Sequence, residues 1–164
     1  MRMRSMVAVC VLAAVVAAAR IGAIEQRPMP VFRVVGANGA SVSSAELGAR
    51  DRWLLVYVAP GCRSCDRLLG ALERWQSTQL LERTVIVVGG PADAAQQYID
   101  TTLPAPIRSI AWYADAGGEA WQALRLNGTP VLVGVDKSTI TWAISGVLND
   151  PTALESVVRT WVAR

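Results

Sequence analysis

The sequence predicts an α/β fold, with helices packed on a mixed sheet, and three observations carry that prediction. Short apolar runs rich in β-branched and aromatic residues (Trp53 to Ala59, Thr84 to Val88, Val131 to Asp136) alternate with stretches of helical period. The run ending at Asp136 leads into a tight turn, an antiparallel partner strand and one last helix, the ending of an α/β sandwich. With 164 residues, 52% of them hydrophobic, the chain is long enough for one cored domain and a leader.

The leader comes first. Arg2 and Arg4 precede an unbroken apolar stretch from Met6 to Ala19 that closes on Ala17-Ala18-Ala19, the arrangement of a secretory signal. Apolar character resumes at Ile21-Gly22-Ala23-Ile24 after Arg20, so an uncleaved membrane anchor is the rival reading. Its length is marginal against the roughly 20 apolar residues a spanning helix needs. Either way the basic residues stay inside and the domain is exported, secreted or tethered to the inner membrane on its periplasmic side. Residues 1–27 are therefore read as signal peptide or anchor, and residues 28–164 as the domain. Cys10, within the apolar run, behaves as a small hydrophobe. The two remaining cysteines then lie where disulfides persist.

Within the domain, Arg27-Pro28-Met29-Pro30 reads as a linker and Val31 to Val35 as a strand. Asn38-Gly39 is a hairpin turn signal, with Ser41-Val42-Ser43 returning. Ser44 to Gly48 makes one helical turn, and Trp53 to Ala59 a strand buried on both faces. The first helix follows Cys65, with Leu68, Leu69, Leu72, Trp75 and Gln76 at three- and four-residue steps. Thr84 to Val88 is a strand, and Pro91 to Asp100 a helix with Pro91 in its first turn. Ser109 to Tyr113 is a short strand, and Glu119 to Leu126 a helix stopped by Asn127-Gly128. Val131 to Asp136 and Ile140 to Val147 form a hairpin around Lys137-Ser138-Thr139. Asp150 caps a last helix that starts at Pro151 and runs to about Val162. Trp112, Trp121, Trp142 and Trp161 fall inside elements and read as core or half-core.

Charge and composition narrow the chemistry. The net charge of +3 belongs to residues 1–27; beyond them 12 basic residues face 12 acidic ones, so no basic surface calls for nucleic acid. The chain has no histidine, which excludes Ser-His-Asp and Cys-His catalysis and removes the commonest transition-metal ligand. Chemistry must run on cysteine, carboxylate or backbone groups. Cys62-Arg63-Ser64-Cys65 stands between a buried strand and a helix. Two thiols at this spacing close a disulfide only where the chain turns, and a helix start supplies that turn. It also aims free N–H groups and the positive dipole end at the first sulfur, favouring the reactive thiolate. A purely structural disulfide is the plainer alternative, but so short a loop restrains little unfolded-chain entropy. Half a zinc site is another, without a second CxxC or a histidine to complete it.

Ala59-Pro60-Gly61-Cys62-Arg63-Ser64-Cys65 between strand and helix, with Gly128-Thr129-Pro130 before Val131-Leu132-Val133, resembles the thioredoxin fold. Val31-Phe32, Gly36-Ala37-Asn38-Gly39, Val42-Ser43, Leu47 and Trp53 to Val56 add a likeness to the TlpA/ResA-like thiol-disulfide oxidoreductases. MauD-like accessory proteins are a weaker match. The resemblance covers residues 29–163 and implies a thioredoxin-like fold with an N-terminal β-hairpin extension. It implies that Cys62 is the attacking nucleophile, that Cys65 resolves the mixed disulfide, and that the two form a Cys62–Cys65 disulfide when oxidised. Arg63 would lower the thiol pKa of Cys62, with Asp66 able to oppose it. It further implies a cis bond before Pro130, with Thr129 and Pro130 binding an extended client segment.

The chain departs from the pattern twice. Gly61 stands where many relatives carry an aromatic residue, and Val56 where thioredoxins hold a buried carboxylate beneath the resolving thiol. Glu119 is the candidate replacement acid. The expected function is an exported protein disulfide oxidoreductase with no cofactor and no metal. Its partners would be client proteins with cysteines or disulfides, such as apocytochrome c, and an integral-membrane thiol donor of electrons. Two other functions fit the same residues: a thiol-based Cu(I) chaperone, since Cu(I) prefers sulfur ligands, and a client-binding assembly factor without turnover. A peroxidase does not fit, because Ala59 occupies the position of the peroxidase threonine.

Overall fold

The computed structural model describes residues 26–48, 51–75, 77–103, 105–146 and 151–163. Residues 1–25 with Cys10, together with Gln76, Val147 and the Asp150 cap, lie outside them. Eight strands form one sheet: β1 (Arg27–Pro28), β2 (Arg33–Gly36), β3 (Ser41–Ser43), β4 (Arg52–Val58), β5 (Thr84–Gly89), β6 (Ala111–Asp115), β7 (Val131–Asp136) and β8 (Thr139–Ser145). Their order is β1-β8-β7-β4-β5-β6-β2-β3. β4, β5 and β6 run parallel and every other pairing is antiparallel, so the sheet is mixed and the fold α/β. The helices are α1 (Arg63–Arg74), α2 (Thr78–Arg83), α3 (Ala92–Thr102), α4 (Glu119–Leu124) and α5 (Pro151–Val162).

The two faces of β4 explain why its sequence is apolar throughout. Leu54, Val56 and Val58 point into a core shared with α1, α2, α3 and α5, whereas Trp53, Leu55 and Tyr57 point into a second core under α4 and the β2–β3 hairpin. Leu68, Leu69 and Leu72 of α1 are buried in the first core, each worth about 1.5–3 kcal/mol of transfer free energy. Trp112, Trp142 and Trp161 pack half-buried on that core and Trp121 on the other. Trp142 and Trp161 meet edge to face at 5.7 Å, and the Arg52 guanidinium lies 5.3 Å from the Trp161 ring centroid. Among the described residues, no helix is long and apolar enough to cross a membrane.

Several elements differ from the sequence expectation. Arg27–Pro28 is not a linker but an edge strand, with Arg27 opposite Ile140 and Pro28 opposite Thr139. A proline at a sheet edge loses no ladder bond, and Arg27 also donates to the Leu124 carbonyl at 2.9 Å. Helix α2 was not apparent in the sequence; it is six residues long, and its start is marked only by the Ser77 hydroxyl accepting from the Leu80 N–H. The strand expected at Ser109 to Tyr113 lies two residues later, because a 3-10 turn takes Ala105–Ser109. Pro91 is the N-cap of α3 and not its first helical residue. α4 ends at Leu124 with Arg125 left-handed at φ 56°, before Asn127-Gly128 is reached.

The β7–β8 pair depends on a glycine. Gly134 lies opposite Trp142, and a Cβ there would overlap the indole ring. Gly134→Ala is therefore expected to cost about 1–3 kcal/mol by overpacking. Urea unfolding followed by tryptophan fluorescence measures this, with a lowered midpoint at unchanged slope.

Candidate active site

β4 delivers the chain to the site. Past Val58 it turns through Pro60 and Gly61, whose φ of 77° is a conformation few side chains tolerate. Cys62 is the N-cap of α1: its carbonyl accepts from the N–H groups of Cys65 (2.8 Å) and Asp66 (3.2 Å), and its Sγ accepts from the Cys65 N–H at 3.1 Å. A sulfur held there faces the unpaired N–H groups and the positive end of a 12-residue helix. Cys62 and Cys65 are joined by a disulfide across a Cα–Cα distance of 5.2 Å. Cys65 is fully buried in the first core, and Cys62 is half-buried at the surface. Only Cys62 can be reached from outside.

The opposite wall is the segment leading into β7. The Thr129–Pro130 bond is cis. The Thr129 carbonyl oxygen lies 3.6 Å from Cys62 Sγ, near enough to accept a thiol hydrogen from the reduced form. The Pro130 carbonyl accepts from the Gly146 N–H at 2.8 Å, which ties this wall to the end of β8. The site thus brings together Cys62, Cys65, Thr129 and Pro130, and Arg63 is exposed as the first residue of α1.

Glu119 does not join them. It sits at the start of α4, on the opposite face of the sheet, and accepts from the Arg33 N–H at 3.0 Å. The expectation that Glu119 replaces the missing acid near Cys65 is therefore corrected. Beneath Cys65 the strand presents Val56, fully buried and apolar. The buried carboxylate of the described chain is Asp115, also on the far face, where it accepts from Tyr57 and from the N–H groups of Ala120 and Trp121.

Asp66 is exposed but has a partner. Its Oδ1 accepts from the Tyr98 hydroxyl of α3 at 2.9 Å. No pattern in the sequence pairs residues 32 apart, so only packing of α3 on α1 reveals the contact. Burial pushes the Tyr98 and Tyr57 phenols well above the ordinary tyrosine value, and the Asp66 and Asp115 carboxylates they bond raise them further.

No family model matches this chain, and no curated protein matches it. Solved structures do. A secreted disulfide oxidoreductase of Mycobacterium tuberculosis, homologous to E. coli DsbE, has a TM-score of 0.61 at 16% identity, covering 79% of this chain and 95% of that one. DsbF from the same organism, solved in mixed oxidised and reduced forms, gives 0.63 at 18% identity, covering 79% and 94%. The exposed lipoprotein thioredoxin of Streptococcus pneumoniae gives 0.57 at 15%, covering 79% and 98%. The fold is thioredoxin-like. The β2–β3 hairpin supplies the expected N-terminal extension.

The two raised tyrosines have a pH consequence. Folding favours their neutral form, so the associated stability is fully present below the ordinary tyrosine value near 10 and is lost as pH rises toward the folded values. Urea melts are expected to show stability falling above about pH 10, with a shallower fall in Tyr98→Phe.

Proposed function

We propose that this chain is an exported thiol-disulfide oxidoreductase of the TlpA/ResA-like kind, acting on disulfides of client proteins. The observation that carries the reading is the Cys62–Cys65 disulfide at a helix start with the Thr129 carbonyl oxygen 3.6 Å from Cys62 Sγ. The structural likeness to a secreted oxidoreductase and an exposed lipoprotein thioredoxin supports it, as does the signal-like leader.

In the reducing direction, the Cys62 thiolate attacks one sulfur of a client disulfide. A Cys62–client bond forms and the other client sulfur leaves as a thiolate. Cys65 loses its proton to water and attacks Cys62 Sγ, which releases the second client sulfur. The client gains two electrons and the Cys62–Cys65 bond re-forms. A dithiol donor on the membrane then reduces the pair again. Thr129 and Pro130 hold the extended client strand against Cys62, and Arg63 stabilises the thiolate. Water serves as acceptor in place of the absent buried acid, and Gly61 leaves the groove open on the side where relatives carry an aromatic.

The full chain is expected to catalyse reduction of insulin disulfides by dithiothreitol. Cys62→Ser should abolish this, and Cys65→Ser should accumulate a mixed disulfide of one client chain per protein, read by mass spectrometry. A pair that never exchanges with dithiothreitol, or that holds Cu(I) and does not turn over, overturns the reading.

A further inference from the structure

The first turn of α1 carries a second anion site besides the Cys62 sulfur. The Asp66 N–H donates to the Cys62 carbonyl at 3.2 Å, which sets Asp66 one helical turn along from the redox sulfur. Its carboxylate is held by the Tyr98 hydroxyl. Tyr98 is 7% exposed and shares the core that contains Cys65, Leu68 and Leu69, so the donor end of this bond is buried and anchors an Asp66 carboxylate that is itself exposed. We propose that Asp66, held by Tyr98, is a fixed negative charge that sets the direction of the redox pair. It raises the energy of the Cys62 thiolate and makes the dithiol a stronger electron donor than the helix start and Arg63 alone would allow.

This inference rests on the oxidoreductase reading above. Two anions in one first turn compete for the same positive helix end and repel each other. Among the described residues, none of the neighbouring cations forms an ion pair with Asp66. On α1, Arg63 is exposed, and Arg67 donates to the Ser64 hydroxyl. On α3, Asp93 and Asp100 are exposed, and Tyr98 alone reaches Asp66. The 3-10 turn packed on α1 brings Arg108, whose guanidinium donates to the carbonyls of Leu103 and Asp100. The facing wall offers Cys62 a neutral carbonyl, that of Thr129.

The equilibrium to measure is dithiol plus oxidised glutathione giving the Cys62–Cys65 disulfide plus two reduced glutathione molecules. A less stable thiolate moves it toward the protein disulfide. Asp66→Asn removes the charge and keeps an oxygen for Tyr98. It is expected to lower that constant about threefold, a potential about 14 mV less negative at 29.6 mV per tenfold. Thiolate absorbance at 240 nm should then appear at lower pH.

Asp66→Glu keeps the charge and is expected to stay near the unmodified chain. Tyr98→Phe releases the carboxylate to water and should shift the constant in the same direction as Asp66→Asn, by less. An unchanged constant in Asp66→Asn, or an equal shift in Asp66→Glu, overturns the proposal. If the unmodified chain does not equilibrate with glutathione at all, it is the oxidoreductase reading that fails.

Discussion

The antiparallel pairing of β4 with β7 is the constraint on which the site depends. In its register Tyr57 lies opposite Val131, so the end of one strand meets the beginning of the other. Cys62 follows Tyr57 by one short turn and Thr129 precedes Val131 by one proline. Two segments 67 residues apart are thereby held with the Cys62 sulfur at the Thr129 carbonyl. The ladder also locks the facing of both strands, since a slip of one residue would turn Val56 and Tyr57 to the wrong cores.

The sheet divides the chain into two cores, and the division decides what chemistry each face supports. The Cys62–Cys65 pair belongs to the face of α1 and α3, with Cys65 sealed among leucines. The buried carboxylate Asp115 belongs to the other face, where it holds the start of α4 and bonds Tyr57. The described chain therefore does bury an acid, but with the sheet between it and Cys65. On the face of α1 and α3, the Asp66 carboxylate is bonded to Tyr98.

Much of this was legible in the chain. The strands β4, β5 and β7 stand out because burial on both faces demands continuous apolar, β-branched sequence. The β2–β3 hairpin announces itself through Asn38-Gly39, and α1 through its leucine spacing. Elements with weak local signals were not legible. α2 is too short to show a period, β1 has two residues and a proline, and the end of α4 rests on a left-handed Arg125 that no propensity favours. Glu119 was misplaced for a related reason: it is close to the site in neither sequence nor space, and only the crossing of α4 to the far face shows this.

The sequence by itself determined the α/β class, the order of the major elements and the presence of a dithiol at a helix start, because each follows from residue types within about ten positions of one another. The tertiary structure alone decided which groups face that dithiol. Sheet register and helix packing are long-range, so the approach of Thr129 to Cys62, the exile of Glu119 and the capture of Asp66 by Tyr98 leave no local trace. Chain separation carries no information about such contacts until the hydrophobic cores choose the faces.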